Sequence, residues 1–223
     1  TFARVAEQID RRTHDWIEAR VGACAATHVR GEQSPGLLDL RMRCLDRKLD
    51  ELRAVIDVAV AGAASVVDHA VEAVNKLGSI AECADTAALA GAVPLPVDPA
   101  VRASIAAFDN RLTAITARRA AGQYQATLPL AEALDRDAAS LDYAPLRARI
   151  ASARALLLQD LGRGGPAEAA WFAALQHASA AHDERRADVL KYIDEKYQGR
   201  SCKISTRLQL TGKTALKDVL KAY

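Results

Sequence analysis

Apolar residues recur every three or four positions along most of this chain, and interruptions are few. From Phe2 to about His28, the residues Val5, Ile9, Trp16, Ile17, Val21 and Cys24 keep near-helical spacing, which predicts a first helix. The stretch Val29 to Gly36 holds two glycines and a proline and breaks it. A second helix is predicted from about Leu37 to Val60, where Leu38, Met42, Leu45, Leu49, Leu52 and Ile56 make one apolar stripe. Two long helices across a short break are expected to fold back as an antiparallel hairpin. A third helix is expected over about Ala64 to Leu77, with Val67, Ala70, Val71 and Val74 inward, then one or two short turns from Ile80 to Ala90.

Pro94 and Pro96 exclude a helix through Gly91 to Val97, which reads as a linker and a subdomain boundary. Asp98 can cap the amides of the helix that Pro99 opens. Further helices are predicted at about 99–120, 123–141, 144–161, 166–181 and 184–197, with Gly122, Gly162 and Gly165 at breaks where unusual backbone is cheap for glycine. Gly122 and Gly162 stand 40 residues apart, each ending one helix and starting another, so a stacked helix-pair array is expected. Beyond it, 202–211 could be extended and 213–223 a short helix. Three regions follow: 1–91, a helical subdomain; 98–197, helical repeats; and 198–223, a basic tail.

Composition strengthens the all-α expectation. Half the residues are hydrophobic but only 4% aromatic, so the apolar content is mainly Ala, Leu and Val packed through close helix contacts. The net charge of +2 is unevenly spread: from Lys196 onward seven basic residues face one acid, Asp218. Such a tail suits nucleic acid, an anionic surface or an acidic partner, or is a solvated end. No apolar run is long enough to span a bilayer, and no basic-then-apolar leader follows Thr1, so a processed or excised chain is expected.

Several blocks carry a resemblance. They are Trp16, then Cys24 to Ser34, then Leu37 to Leu45, with further matches at Val67 to Val74, Cys83-Ala84-Asp85, Gly122-Gln123-Tyr124 and Tyr143 to Leu146. Over about residues 10–195 the chain resembles the carboxy-terminal sensor-like region of bacterial, myxobacterial-type serine/threonine protein kinases that carry tetratricopeptide repeats. Within the array, Gly162 takes the turn glycine of such a repeat, and Ala167 and Ala174 take its small positions. Gly164 stands where a tyrosine is usual; Tyr124 supplies that ring in the earlier unit, where Thr127 occupies the first small position. The resemblance implies an all-α protein, an N-terminal helical hairpin followed by repeat-like antiparallel pairs. It further implies a kinase domain and a membrane helix upstream, an extracytoplasmic location (a cytoplasmic one being the alternative) and a sensory or scaffolding role.

Candidate chemistry is sparse. Phosphoryl transfer needs a glycine-rich loop, a strand lysine and two aspartates in recognisable motifs, and none of these motifs occurs. Gly212-Lys213-Thr214 mimics the end of a phosphate loop, but Arg207 occupies the place of its first glycine. The five histidines have no metal-ligand spacing. Cys24 and His28 share a helical face with Cys44 across the hairpin; a metal site would need a fourth ligand. A Cys24–Cys44 disulfide and a pair of reduced thiols are the other readings, and the extracytoplasmic side implied by the resemblance permits the disulfide. The resemblance also places the usual partner of Cys83 upstream of Thr1, leaving it free here or paired with Cys202. Arg30, Glu32, Asp39 and Arg41 form a polar cluster expected to fix the hairpin turn through ion pairs rather than to capture a ligand. Tyr124, Tyr143, Trp171 and Phe172 are the candidate anchors for a partner, or else fill the core. The expected function is therefore a non-catalytic sensor or interaction module with no cofactor and no metal, which binds a protein or peptide or associates with itself. The competing expectation is nucleic-acid or anionic-surface binding through 198–223.

Overall fold

The computed structural model describes residues 2–61 and 64–197, and among these every regular element is helical. The elements are α1 (Phe2–His28), α2 (Pro35–Val60), α3 (Ala64–Asn75), a 3-10 turn at Ile80–Ala84, α4 (Thr86–Gly91), α5 (Pro99–Ala120), α6 (Tyr124–Asp137), a 3-10 turn at Ala138–Ser140, α7 (Ala144–Asp160) and α8 (Gly164–Tyr197). The tail 198–223, with Cys202 and the expected extended segment and short helix, lies outside the described residues.

The helix boundaries follow local chemistry. Gly31, at φ 65°, lets the chain leave α1, and Gln33 Nε2 donates to Ala23 O and Thr27 Oγ1 at 2.8 Å each, closing the bend. Ser34 Oγ then accepts from Leu37 N at 3.2 Å, and Pro35 opens α2 where its missing N–H does no harm. Asp98 caps α5 by accepting from Ala100 N at 2.8 Å, as its position before Pro99 predicts.

One correction concerns α8. Two helices were expected, at 166–181 and 184–197, but a single helix runs from Gly164 to Tyr197. The reason is local: Ser179 to Glu184 contains neither glycine nor proline, so nothing stops propagation.

The 40-residue echo is reproduced at the level of hydrogen bonds. After α5, Gly122 N donates to Arg119 O and Gln123 N to Arg118 O, both at 3.0 Å. After α7, Gly162 N donates to Gln159 O at 2.9 Å and Arg163 N to Leu158 O at 2.8 Å. Both glycines have positive φ, 77° and 70°, so the two hairpins turn on the same left-handed cap.

Three apolar clusters hold the helices together. The largest joins α5, α6, α7 and α8 through Ile105, Leu112, Leu128, Leu134, Leu146, Ile150, Leu157 and Ala170. A second joins α2, α3 and α5 through Val55, Ala73, Val74, Ala117 and Ala120, with Val5 and Ile9 of α1 against it. The third packs Trp16 of α1 on Leu45, Ile80 and Cys83. The second cluster spans the expected boundary at 91–97, so the two regions share buried surface. Contacts run in a regular order: α2 with α3, α5 with α6 and α7 with α8; then α2 with α5 and α5 with α7; then α3 with α5 and α6 with α7.

Aspartates and arginines lace the second half. Arg149 pairs with Asp109 at 2.7 Å and Arg119 with Asp160 at 2.6 Å, so α5 and α7 lie side by side and run in the same direction. Arg111 pairs with Asp137 at 2.6 Å, and Arg154 with Asp135.

Gly122 and Gly162 differ in surroundings, which yields a test. A Cβ on Gly162 would meet open space, whereas one on Gly122 would sit 2.6 Å from the His69 ring of α3. Gly162→Ala is therefore expected to cost only the left-handed backbone, about 1–2 kcal/mol, and Gly122→Ala distinctly more. Thermal melts should show the excess disappearing in a Gly122→Ala, His69→Ala double variant. Equal costs at the two glycines would contradict the packing described.

Candidate interaction surface

The segment after α3 is pinned to α2 by several bonds at once. Cys83, in the 3-10 turn, is bonded to Cys44 of α2, with Cα atoms 5.5 Å apart. Arg41 Nε donates to Cys83 O at 3.2 Å, and the Arg12 guanidinium of α1 donates to Gly78 O. Ser79 and Glu82 close a capping box, with Ala81 N donating to Ser79 Oγ and Ser79 N to Glu82 Oε1, both at 3.2 Å.

This pairing corrects the expected Cys24–Cys44 bond. Cys24 is a free, exposed thiol on the solvent side of α1, whose inward positions in that turn are Ala23 and Ala26. Cys44 lies on the buried face of α2, turned toward the 80–84 turn. Cys83 is thus neither free nor paired with Cys202.

Beside the disulfide, Lys48 is almost wholly buried, at 8% exposure, and its Nζ donates to Glu82 Oε2 at 2.7 Å. Glu51 is its second acid, at 4.0 Å. Glu82 remains 61% exposed, so its partner is far more desolvated than it is. The hydrogen bond from Lys48, ahead of all other influences, holds the Glu82 carboxyl below its usual value. Arg12, next to this group, is lowered chiefly by burial, with Glu51, Asp15 and Glu82 opposing the effect. A cleft of about 390 Å³ lies here between Arg12, Asp15, Glu18 and Arg41. Both arginines are already held by carbonyls of the pinned segment, so their role is structural.

The loop cluster behaves as expected in part. Arg30 Nε pairs with Glu32 at 2.7 Å and fixes the turn. Arg41 Nη1 donates instead to Gln33 Oε1 at 2.8 Å, and Asp39 faces solvent on the rim of another depression.

The four aromatic candidates are mostly packing residues. Tyr124, Tyr143 and Trp171 lie half-buried against the main core, while Phe172 is 59% exposed. Tyr143 precedes α7, and its hydroxyl donates to Val93 O at 3.2 Å, tying the proline linker to the start of α7. Burial raises its phenol above the usual value; Arg149, Arg47 and Arg43 oppose the rise and Asp109 adds to it.

That last set identifies residues that sequence reasoning passes over. Arg43 and Arg47 stand one turn apart on α2, both exposed, and neither makes a hydrogen bond or ion pair with another described residue. Both lie within electrostatic reach of Tyr143, and Arg47 is also within reach of the Glu82 carboxylate. Arg43 also borders an open depression of about 710 Å³ between α2 and α4, whose apolar walls are Leu37, Leu40, Ala87 and Ala90. The sequence signal was the local density of Arg41, Arg43, Arg47 and Lys48 within eight residues. Of these, Arg41 and Lys48 turn inward to the pinned segment and the other two remain available.

No family model, no curated protein and no solved structure is significantly similar to this chain. Among the described residues, no helix is long and apolar enough to cross a membrane.

Two tests follow from the pinned turn. Closing a chain of this separation, 39 residues, corresponds to about 4 kcal/mol in the loop-entropy model. A Cys44→Ser, Cys83→Ser variant should melt well below the parent, and reduction of the parent should bring it to the same midpoint. Cys24→Ser should leave the midpoint unchanged; a drop there would restore the other pairing.

The second test uses acid. Because the folded Glu82 carboxyl lies below its unfolded value of about 4.5, its contribution is complete above that pH. It is lost as pH falls through the folded value. Glu82→Gln should lower the neutral-pH midpoint and remove that part of the acid dependence. Lys48→Met should cost less than Glu82→Gln, because it strands an exposed carboxylate rather than a buried ammonium. The reverse order in urea titrations would contradict this assignment.

Proposed function

We propose that this chain is a non-catalytic helical interaction module, the regulatory region of a bacterial receptor-type serine/threonine kinase. In this reading α2–α3, α5–α6 and α7–α8 are three stacked tetratricopeptide-like hairpins, with α1 covering the first. The observation that carries it is the order of contacts. Each hairpin's first helix adjoins the next hairpin's first helix, and α3 and α6 each touch the first helix that follows. The repeated left-handed caps at Gly122 and Gly162 support the same stacking. Such an array presents its first helices as one continuous surface suited to extended partners. The kinase link and the extracytoplasmic side rest on the resemblance, and a buried disulfide favours an oxidising compartment.

The test is direct. A random peptide library panned on the immobilised chain should enrich sequences that bind reversibly in the micromolar range, and substitutions on α2, α5 or α7 should weaken them. The reading fails if no peptide is enriched and sedimentation finds only monomer at every accessible concentration.

A further inference from the structure

The segment 78–91 lies across α1 and α2 as a strap, and most of it is shallow. Its buried side chains are Ile80 and Cys83, with Leu89 half-buried, and α4 has no buried residue. The cluster that seats it buries Cys44, Leu45, Ile80 and Cys83, whereas the main core of α5 to α8 buries fifteen residues. Local opening is easiest where buried apolar contact is thin. The strap also has polar anchors, from Arg12 to Gly78 O, from Arg41 to Cys83 O and from Lys48 to Glu82. Water can replace each of them once the turn lifts, so no charge is stranded in the interior. Cys83 lines the open cleft of about 390 Å³ between α1, α2 and the turn, together with Leu45 and Ile80. Cys83 is only 1% exposed, so the bond is shielded while the strap is seated and meets solvent through that cleft when it lifts. Beyond the strap, Tyr143 holds Val93 and α5 begins at its own Asp98 cap, so the helices that follow stay anchored.

We propose that Cys44–Cys83 is a redox latch: reduction by a dithiol frees 78–91 and uncovers a groove between α1 and α2, while α5 to α8 stay folded. One thiolate of the dithiol attacks Cys83 Sγ from the cleft. The Cys83–Cys44 bond breaks, and Cys44 leaves as a thiolate that takes up a proton. The second thiol of the dithiol, losing its proton, then displaces Cys83 from the mixed disulfide. Two electrons and two protons enter the protein, and the dithiol becomes a disulfide. The groove so uncovered has Trp16 and Leu45 as its walls and Lys48, released from Glu82, at its edge. The latch is independent of whether the helical array binds peptides.

The experiment follows reduction of the full, oxidised chain by dithiothreitol without denaturant, and then amide hydrogen exchange by mass spectrometry. The reduction rate should rise in proportion to dithiothreitol and respond little to low concentrations of urea. Glu82→Gln, which removes an anchor of the strap, should speed reduction at least threefold. Gly162→Ala weakens the fold in the distant α7–α8 hairpin and should leave the rate as in the parent. After reduction, amides of 78–91 such as those of Asp85 and Leu89, bonded in the closed form, should lose protection while α5 to α8 keep theirs. Reoxidation should restore the strap's protection. A rate that levels off at the global unfolding rate overturns the proposal, as does equal acceleration by Gly162→Ala. So does a strap that stays protected after reduction, or a loss of protection that spreads through α5 to α8. The kinetics and exchange of the parent need no variant, so the proposal stays falsifiable even where a variant fails to fold.

Discussion

One covalent bond decides how the N-terminal part of this protein is arranged. By joining Cys44 to Cys83, it brings the end of a helix–turn segment back onto α2 and lays Ile80 beside Leu45 and Trp16. The surrounding polar groups depend on that closure. Trp16 Nε1 reaches Leu45 O at 2.7 Å, and Arg20 lies over the same indole at 5.1 Å. Lys48, which a helix surface would expose, is acceptable in the interior because the bonded turn presents Glu82 to it. α2 is thus covered on one side by α1 and the turn and on another by α5, and the second half inherits its position from the first.

Much of the helical layout was legible in the chain. Proline and glycine mark the ends of α1, α2, α5, α6 and α7, and apolar spacing gives the helices between them. The failures have a common physical origin. Nothing in sequence spacing says which thiol meets which, because a disulfide reports distance after folding; Cys24 is nearer to Cys44 along the chain but faces water. Lys48 reads as surface for the same reason, since its partner lies 34 residues on. The supposed break near residue 182 had no glycine or proline behind it, and the backbone ignored it.

The candidate surface was less legible than the fold. Aromatic residues were the natural suspects because they dominate binding interfaces, yet this chain has few rings, and three of the four candidates fill the edges of its core. The ion pairs were equally hidden. Arg111, Arg119, Arg149 and Arg154 each meet an aspartate on another helix. Such pairs emerge only once the helices are side by side, because each joins residues distant in sequence.

The disulfide also sets a limit on how the molecule responds to pulling. The bond encloses 39 residues of separation, including the second half of α2 and all of α3. Fully extended, that much chain would span roughly 130 Å. Tension applied to the two ends passes through the bond and bypasses the enclosed loop, whose length stays hidden even when every helix outside it has been drawn out. A module tethered at its ends would carry load through α1, the sulfur bridge and α4 to α8 in series, with α3 left slack.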